Sequence, residues 1–295
     1  MAADDVTPVS EVLSLPTGIG MRVMRWEPVG SSATSVTGRP VVLVHGLASN
    51  ARLWDGVARR LAASGRRVVA IDQRGHGLSS KPDSTYTMAE VADDLAACVA
   101  VLGWESPVLV GQSWGGNVVL ETSARHPGLA GAIACVDGGF IRLRERFPDW
   151  DDCARALAPP RLAGTPLTTM RQWVERSAAD WPEEGRAGTL ANFEVRADGT
   201  IAPWLTFERH MTVLRGLWEH DPHERVAAVA VPVHLLVADT GEVVWTASKR
   251  AAVTAMVERA EAAGVGPIAV HWFSPAHHDV HAQQPDAVAA VLNAL

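Results

Sequence analysis

The chain has 295 residues, of which 47% are apolar and 20% charged, as is ordinary for a globular protein. This length allows one large α/β domain, or a core domain with an inserted subdomain. The formal net charge of −7 disfavours nucleic-acid binding, which needs a basic surface to neutralise phosphates.

The start of the chain and its cysteines indicate where the protein acts. The first twenty residues contain acidic side chains and no long apolar run, so we expect no signal peptide. Elsewhere, too, the sequence lacks the run of about 18 apolar residues that a membrane span requires. The three cysteines cannot all pair, which fits a reducing compartment. We therefore expect a cytoplasmic protein that does not enter a membrane.

Short apolar runs mark the predicted strands. Two strands near the start flank a turn at Thr17–Gly18, and a polar loop is predicted at 31–38. Several later runs are continuously apolar, which is typical of strands buried on both faces of a parallel sheet. In chain order, the predicted strands cover 11–15, 20–27, 40–46, 67–72, 107–111, 129–136, 231–239 and 267–273.

Helices are predicted between most of these strands. The segment 87–103 is amphipathic, and Thr87 and Glu90 have the spacing of a capping box at its start. Strands that alternate with helices predict an α/β fold, with a mostly parallel, doubly wound sheet between two helical layers. The predicted helices cover 53–64, 87–103, 114–124, 245–263 and a final segment from Pro285.

The alternation stops after the sixth predicted strand. The segment 139–220 contains no buried strand, several prolines, and five of the eleven tryptophans. We predict a helical, Trp-rich cap there, inserted into a core formed by 1–138 and 221–295. The excess of tryptophan over other aromatics has two interpretations, which are packing and the lining of an apolar pocket.

A candidate nucleophile lies between a predicted strand and a predicted helix. Gly111-Gln-Ser-Trp-Gly115 matches G-x-S-x-G in the context that makes this motif meaningful. A tight turn at this point lifts the serine hydroxyl clear of the sheet, and the two glycines leave room for the turn. The N-terminus of the following helix then lies under the negative charge that develops on the substrate. These features predict Ser113 as a nucleophile.

Four motifs together resemble the α/β-hydrolase superfamily, from about Val41 to the C-terminus except for the insertion. They are His45-Gly46, Asp72-Gln-Arg-Gly-His-Gly77 with Ser79, the pentapeptide around Ser113, and a late histidine. The resemblance implies the fold of this superfamily, which includes esterases, lactonases, thioesterases and C–C bond hydrolases, and it implies no cofactor. Its dehalogenases and epoxide hydrolases form an alkyl ester on an aspartate, whereas position 113 is serine, so hydrolysis through an acyl-enzyme is favoured.

The resemblance favours a serine hydrolase that acts on carboxylic esters. Lactones, thioesters and C–C bonds remain alternative substrates within the superfamily. A cofactor-independent perhydrolase or oxygenase is a further alternative, which peroxide-dependent turnover would reveal. A hydrolase fold that serves as a ligand receptor, without catalysis, is the alternative from another class of protein. Labelling of Ser113 by a fluorophosphonate would distinguish an enzyme from a receptor.

The resemblance also implies an oxyanion hole formed by backbone groups. The superfamily takes one N–H from the residue after the nucleophile and one from the loop after an early strand. In this chain these are the N–H groups of Trp114 and Leu47. His45 is an alternative catalytic base, although in similar chains this histidine supports the loop.

The segment Ala276-His-His-Asp-Val-His-Ala-Gln-Gln-Pro285 supplies the histidine of the predicted triad. Similar chains often read Gly-His-x-x-His-x-x-Gln-Pro, with the first histidine catalytic. Alignment on Pro285 makes that residue His278. A metal site formed by His277 and His281, with Asp279 nearby, is the rival interpretation; we expect no metal, because we find no second cluster of ligands in the sequence.

The acidic member of the triad has two candidate positions. Asp137 ends an earlier strand and lies 24 residues after Ser113, an interval similar to that of superfamily members with an acid at this site. Asp239 ends a later strand, with Glu242 nearby, but Gly241 occupies the place where the acid of that site usually falls. We predict Asp137 as the acid and Asp239 as the alternative.

The expected ligand is a small molecule with an apolar or aromatic acyl group. Tryptophans are the candidate side chains for binding such a group. The predicted substrate-binding residues are Trp114, Trp150, Trp173 and Trp204.

Overall fold

The computed structural model describes residues 7–28 and 37–295. The first six residues, which belong to the segment without a predicted signal peptide, lie outside these ranges. Most of the polar loop predicted at 31–38 also lies outside the described residues.

Eight strands form one mostly parallel sheet, with the order β1-β2-β4-β3-β5-β6-β9-β10. Strand β2 is antiparallel to both of its neighbours, and every other pair in this sheet is parallel. Each predicted strand corresponds to one strand of the sheet, with ends shifted by at most three residues. The strands are β1 (Val9–Ser14), β2 (Gly20–Trp26), β3 (Val41–Val44), β4 (Val68–Ile71), β5 (Val108–Gln112), β6 (Ala132–Val136), β9 (Val233–Ala238) and β10 (Ile268–Phe273), while β7 (Phe193–Val195) and β8 (Ile201–Pro203) form a separate antiparallel pair.

The helices begin and end close to their predicted bounds. The predicted capping box of α2 is present, because Thr87 Oγ1 accepts from the N–H of Glu90 and the Glu90 carboxylate accepts from the N–H of Thr87. In the described ranges, no helix combines the length and the hydropathy needed to cross a bilayer. The helices are α1 (Asp55–Ala63, preceded by a 3₁₀ turn at Ala51–Trp54), α2 (Met88–Leu102), α3 (Trp114–Arg125), α4 (Leu143–Arg146), α5 (Trp150–Leu157), α6 (Leu167–Ser177), α7 (Glu183–Leu190), α8 (Phe207–Glu219), α9 (Pro222–Val226), α10 (Val243–Ala262), α11 (Val280–Gln283) and α12 (Pro285–Asn293).

Hydrophobic cores lie on both faces of the sheet. Val42 and Val44 of β3 belong to the core under α2, α3 and α10, whereas Val41 and Leu43 belong to the core under α1 and α12. Because successive side chains of a strand point to opposite faces, a strand covered on both sides must be apolar at every position. The continuous apolar runs of the sequence therefore predict this three-layered arrangement correctly.

Between β6 and β9 lie α4 to α9 and the small sheet of β7 and β8, and all of these except α9 fall within the predicted insertion at 139–220. The sequence predicts a helical cap there but not the pair of three-residue strands. Part of the insertion packs directly on the core, because Asn50 Nδ2 donates to the carbonyl of Gly188 at 2.9 Å and Arg60 pairs with Glu184 at 3.0 Å. The division into a core and a cap at 139–220 therefore stays a proposal.

Candidate active site

Ser113 lies in the sharp turn between β5 and α3. Its backbone has φ 52° and ψ −119°, a conformation that costs energy for a residue with a Cβ atom. The turn requires glycine on both sides. A Cβ atom on Gly111 would lie 2.0 Å from the carbonyl oxygen of Gly115, and one on Gly115 would lie 2.5 Å from the carbonyl oxygen of Val44.

Backbone strain is concentrated at this edge of the sheet. Ser113, Asp137 and Ala48 are three of the four non-glycine residues with positive φ in the described part of the chain. They follow β5, β6 and β3, so they gather at the carboxyl ends of neighbouring strands. Strained backbone that is held by its surroundings clusters at functional sites, and ligands of open α/β sheets bind at this edge.

His278 is hydrogen-bonded to Asp137 across the same edge. The Nδ1 atom of His278, in the loop before α11, lies 2.7 Å from Oδ2 of Asp137. An ionised carboxylate can only accept hydrogen bonds, so Nδ1 carries the proton of this bond and the neutral ring has its Nε2 atom free to accept another proton. The Asp137 side chain is fully buried, whereas 56% of the His278 side chain is exposed to the cavity.

Opposing effects act on the protonation of His278. Partial removal of the ring from solvent lowers the pKa of His278, but the hydrogen bond to Asp137 and the charges of Asp279 and Asp137 more than offset this effect. The pKa of His278 therefore lies above its ordinary value. The arrangement stabilises the imidazolium, which is what a general base needs after it has taken a proton.

Lys249 of α10 forms an ion pair with the same carboxylate. Its Nζ atom lies 2.7 Å from both oxygens of Asp137 and donates to the carbonyl oxygen of Ala238 at 2.7 Å. The N–H of Ala238 also donates to Oδ1 of Asp137 at 3.0 Å. The carboxylate thus has partners from α10, from β9 and from the histidine loop.

The alternative acids lie elsewhere. Asp239 accepts from the N–H of Gly241 at 2.9 Å and from the hydroxyl of Thr246, and the hydrogen bond from Thr246 lowers the pKa of Asp239. It therefore anchors the start of α10. Glu242 is exposed at the rim of the cavity, and its N–H donates to Thr240. Across the described residues, the one carboxylate hydrogen-bonded to a ring nitrogen of His278 is that of Asp137.

His45 and His76 hold the loop after β3. The N–H of Gln73 donates to Nε2 of His45 at 3.0 Å, so Nδ1–H of His45 donates to the carbonyl of Gly46. Burial lowers the pKa of His45 to about 4, and both of its ring nitrogens are occupied. His45 thus supports the loop and is not placed to act as a base. His76 accepts from the N–H of Ala48 at 3.3 Å and supports the loop from the other side.

Leu47 and Trp114, the predicted oxyanion residues, flank Ser113. Leu47 lines the same cavity as Ser113. Trp114 is the first residue of α3, and the first N–H groups of an α-helix have no partner within the helix. Both main-chain donors thus come from the segments that an oxyanion hole requires, and their role stays a proposal.

A cavity of about 790 Å³ connects these groups. Its wall includes Ser113, His278, Asp137, Lys249 and Leu47, all just beyond the carboxyl ends of strands or on α10. Most of the remaining surface is apolar. A volume of this size accommodates an organic ligand of moderate size.

The predicted tryptophan lining needs correction, since none of the four side chains is part of this wall. The ring of Trp114 is buried in the core and stacks 5.3 Å from His76. Trp150 packs with α8, and Trp173 is 52% exposed on α6. Trp204 lines a smaller cavity of about 400 Å³. Two of the five tryptophans of the insertion, Trp150 and Trp218, belong to a small core of their own.

The smaller cavity adjoins the larger one. His210 belongs to the walls of both, and Ala48, which follows Leu47, is in the wall of the smaller. Burial lowers the pKa of His210 to about 4, so this histidine is neutral near pH 7. The larger cavity is lined by a different tryptophan, Trp245 at the start of α10, whose ring lies 3.9 Å from the guanidinium of Arg146.

The rival metal site is not assembled by the described residues. His281 is fully buried with its ring 4.2 Å from that of Trp54, and burial lowers its pKa to about 3. His277 is exposed, and its N–H donates to Gln283. Asp279 accepts from Gln112 at 3.2 Å and does not cap the following helix. In residues 7–28 and 37–295, no group of three or more candidate ligands could hold a metal ion.

Residues of the cavity wall that are absent from the predicted site include Lys249, Trp245 and Arg146. One signal for Lys249 was available, because only two of the 26 Lys and Arg residues are lysine. Trp245 begins the helix predicted at 245–263, the first helix after the strand predicted at 231–239, which ends at the functional edge, and this position is a signal for it. No pattern in the sequence distinguishes Arg146 from the other arginines of the insertion.

The family model described as "alpha/beta hydrolase fold" matches residues 39–191, more than half of the chain. The AB hydrolase superfamily protein YisY of Bacillus subtilis is 34% identical over 211 residues, which cover 68% of this chain and 73% of that protein. The 2-(acetamidomethylene)succinate hydrolase of Mesorhizobium japonicum is 33% identical over 101 residues, which cover 34% of this chain and 36% of that protein.

Solved structures resemble the whole chain. The crystal structure of an E-2-(acetamidomethylene)succinate hydrolase has a TM-score of 0.76 at 20% identity, covering 98% of both chains. A thioesterase domain from the curacin biosynthetic pathway has a TM-score of 0.75 at 19% identity, covering 97% of this chain and 99% of that one. At these identities the likeness concerns the fold.

Proposed function

This chain belongs to the α/β-hydrolase superfamily, and on that premise we propose that it cleaves a carboxylic ester or a related acyl bond through an acyl-enzyme on Ser113. That the chain is a hydrolase rests on the comparisons. The bond that it cleaves and the roles of its residues are our proposal. The observation that carries it is the 2.7 Å hydrogen bond between His278 and the buried Asp137, beside Ser113 in one cavity.

In the first half of the reaction, Oγ of Ser113 attacks the acyl carbon while Nε2 of His278 takes the hydroxyl proton. Asp137 accepts from Nδ1–H and stabilises the imidazolium. The N–H groups of Leu47 and Trp114 donate to the oxyanion, and each is worth about 3 kcal/mol of transition-state stabilisation. The bond to the alcohol then breaks, and His278 returns the proton to the leaving oxygen.

In the second half, water hydrolyses the acyl-enzyme. His278 removes a proton from the water as its oxygen attacks the acyl carbon, and the oxyanion forms again at the same two N–H groups. Collapse of this intermediate returns the proton to Oγ of Ser113 and releases the acid. The cycle requires no cofactor.

The apolar lining of the cavity favours an acyl group that is apolar or aromatic. The insertion contributes four apolar side chains to the cavity that Ser113 lines, namely Leu214, Leu217, Ile141 and Phe147. Burial of an apolar acyl group is worth about 25 cal/mol per Å² of apolar area, so this group would supply much of the binding energy of the substrate.

Hydrolysis of a panel of compounds tests this proposal. The panel contains p-nitrophenyl esters of graded chain length, lactones, acyl thioesters and a C–C cleavage substrate. We expect the highest kcat/KM for an ester with a medium-length or aromatic acyl group. Selective turnover of lactones, thioesters or C–C bonds would assign the chain to one of those alternatives, and no turnover of any acyl compound would favour a ligand receptor.

The pH profile of kcat/KM should fall on its acid side with an apparent pKa above the ordinary pKa of histidine, which is about 6.5. We call this acid-side decline the acid limb. His278 acts as a base only when it is neutral, and its pKa is raised. Activity is therefore full above that pKa and lost as the pH falls through it. Measurement of kcat/KM between pH 5 and 9, roughly the range of histidine titration, checks this. An acid limb at or below about pH 6 would contradict the assignment of His278.

Substitution of Trp245 should change substrate selection. Trp245→Ala removes an apolar contact from the wall of the cavity, and such contacts are worth roughly 1–3 kcal/mol. We expect the ratio of kcat/KM between long and short acyl esters to fall by about tenfold or more. Trp173→Ala, on an exposed position of α6, is the matched control and should leave the ratio unchanged. An equal effect of both substitutions would refute this role.

A further inference from the structure

We propose that Lys249 is a positioning residue that holds the Asp137 carboxylate in place for His278 and supplies the positive charge that balances this carboxylate. This inference rests on the proposed function. The contacts of Lys249 Nζ are with Asp137 and the carbonyl of Ala238, so we expect it to act on the reaction through Asp137.

The geometry of Lys249 is that of a clamp on the carboxylate. An ammonium has three N–H donors, and three acceptors lie 2.7 Å from Nζ, namely both oxygens of Asp137 and the carbonyl of Ala238. With all three donors engaged, Lys249 cannot bind an anionic group of the substrate without releasing Asp137. Its side chain is 13% exposed, and that exposure is to the cavity.

Lys249 also compensates the negative charge of the buried Asp137 carboxylate. Asp137 is fully buried, and burying a carboxylate without a counter-charge costs several kcal/mol. His278 must be neutral before it takes the proton of Ser113, so at that stage it supplies no positive charge to balance Asp137. Lys249 supplies it at every stage of the cycle, and it comes from α10, 112 residues away along the chain.

Lys249 also opposes the protonation of His278. Asp137 and Asp279 raise the pKa of His278, whereas the charge of Lys249 lowers it. Loss of the ammonium should therefore raise the pKa of His278 further and shift its acid limb to higher pH. Other titratable or charged groups lie near His278 and Lys249 in three places. His45 and His281 are buried behind the histidine loop, and Asp239 and Arg250 lie beside Lys249. The cavity wall adds Glu242, Arg146 and His210.

The test measures how fast a fluorophosphonate labels Ser113 as a function of pH, because this reaction needs the neutral imidazole and no identified substrate. For Lys249→Met we expect the plateau rate to fall about 10- to 100-fold, as for a displaced catalytic group. We also expect the acid limb to move up by about half a pH unit or more. Lys81→Met, which alters the chain's other lysine, should keep the wild-type profile.

Chemical rescue separates the charge from simple packing. Lys249 lines the cavity, so Lys249→Cys should react there with 2-bromoethylamine, which restores an ammonium of nearly the same length. The native cysteines are buried and burial raises the pKa of each thiol, so they should react slowly. We expect alkylation to return both the plateau rate and the acid limb toward wild type.

Several outcomes would overturn the inference. The inference is wrong if the acid limb of Lys249→Met stays in place or moves to lower pH. It is also wrong if folded, alkylated Lys249→Cys regains neither the plateau labelling rate nor the acid limb of wild type. If Lys249→Met does not fold, the same quantities are measured on Lys249→Gln, whose amide keeps donors but no charge. Wild-type protein that is not labelled at Ser113 would overturn the proposed function and this inference together, whereas normal wild-type labelling with an unchanged variant limb would overturn this inference alone.

Discussion

Ser113→Ala is expected to lower kcat by about 10⁴-fold or more while the protein keeps its fold. The hydroxyl is the group that forms the acyl-enzyme. Without it this intermediate cannot form on residue 113. The side chain is only partly buried at the end of β5, so its loss should alter the free energy of unfolding very little. Steady-state kinetics on the best ester of the panel, with thermal unfolding of both proteins, checks this.

The double variant Ser113→Ala with His278→Ala is the control for this assignment. Residues that act as one unit have non-additive effects, so the second substitution should cost little more than the first. Residual activity above about 1% of wild type in Ser113→Ala would contradict the role of the serine, because loss of a covalent nucleophile removes several orders of magnitude.

Asp137→Asn is expected to lower kcat by roughly 10⁴-fold, as in other triads in which the acid becomes an amide. The amide nitrogen of the variant can face Nδ1 of His278 and donate to it. The proton of the ring then moves to Nε2, which can no longer accept from Ser113. The replacement keeps the size of the side chain, and a kcat measurement alongside circular dichroism separates this effect from misfolding.

Asp239→Asn is the matched comparison, because this carboxylate also ends a strand beside the histidine loop. Its partners are Gly241 and Thr246, so we expect a loss of kcat below about tenfold. The ratio between the two variants is the informative quantity. A larger loss in Asp239→Asn than in Asp137→Asn would reverse the assignment of the acid.

The features that the sequence predicts well are those set by local or periodic patterns. The continuous apolar runs predict the buried strands, and Thr87 with Glu90 predicts the start of α2. The pentapeptide at Gly111 predicts the turn at Ser113 because part of the steric requirement is local: a Cβ on Gly111 would clash with the carbonyl oxygen of Gly115. Because the carboxyl ends of parallel strands share one edge, the order of the elements also brings His278 and Asp137 to the same side as Ser113.

Features that depend on the direction of a side chain are harder to predict. A tryptophan is apolar whether it lines a cavity, packs in a small core or lies exposed, so the different surroundings of Trp204, Trp150 and Trp173 could not be distinguished by sequence alone. Lys249 meets Asp137 across 112 residues, and no local spacing encodes such a contact. Strands β7 and β8 have three residues each, too few to produce a recognisable alternation.

Mapping the site of fluorophosphonate attachment tests the proposed serine chemistry most directly. Wild-type protein is incubated with the probe at a pH above the acid limb, digested, and analysed by mass spectrometry. We predict a single adduct on Ser113, which is absent in Ser113→Ala, strongly slowed in Asp137→Asn and slowed less than about tenfold in Asp239→Asn. A folded wild-type protein that forms no adduct, or forms it on another residue, would contradict the assignment of Ser113, His278 and Asp137 as a catalytic triad.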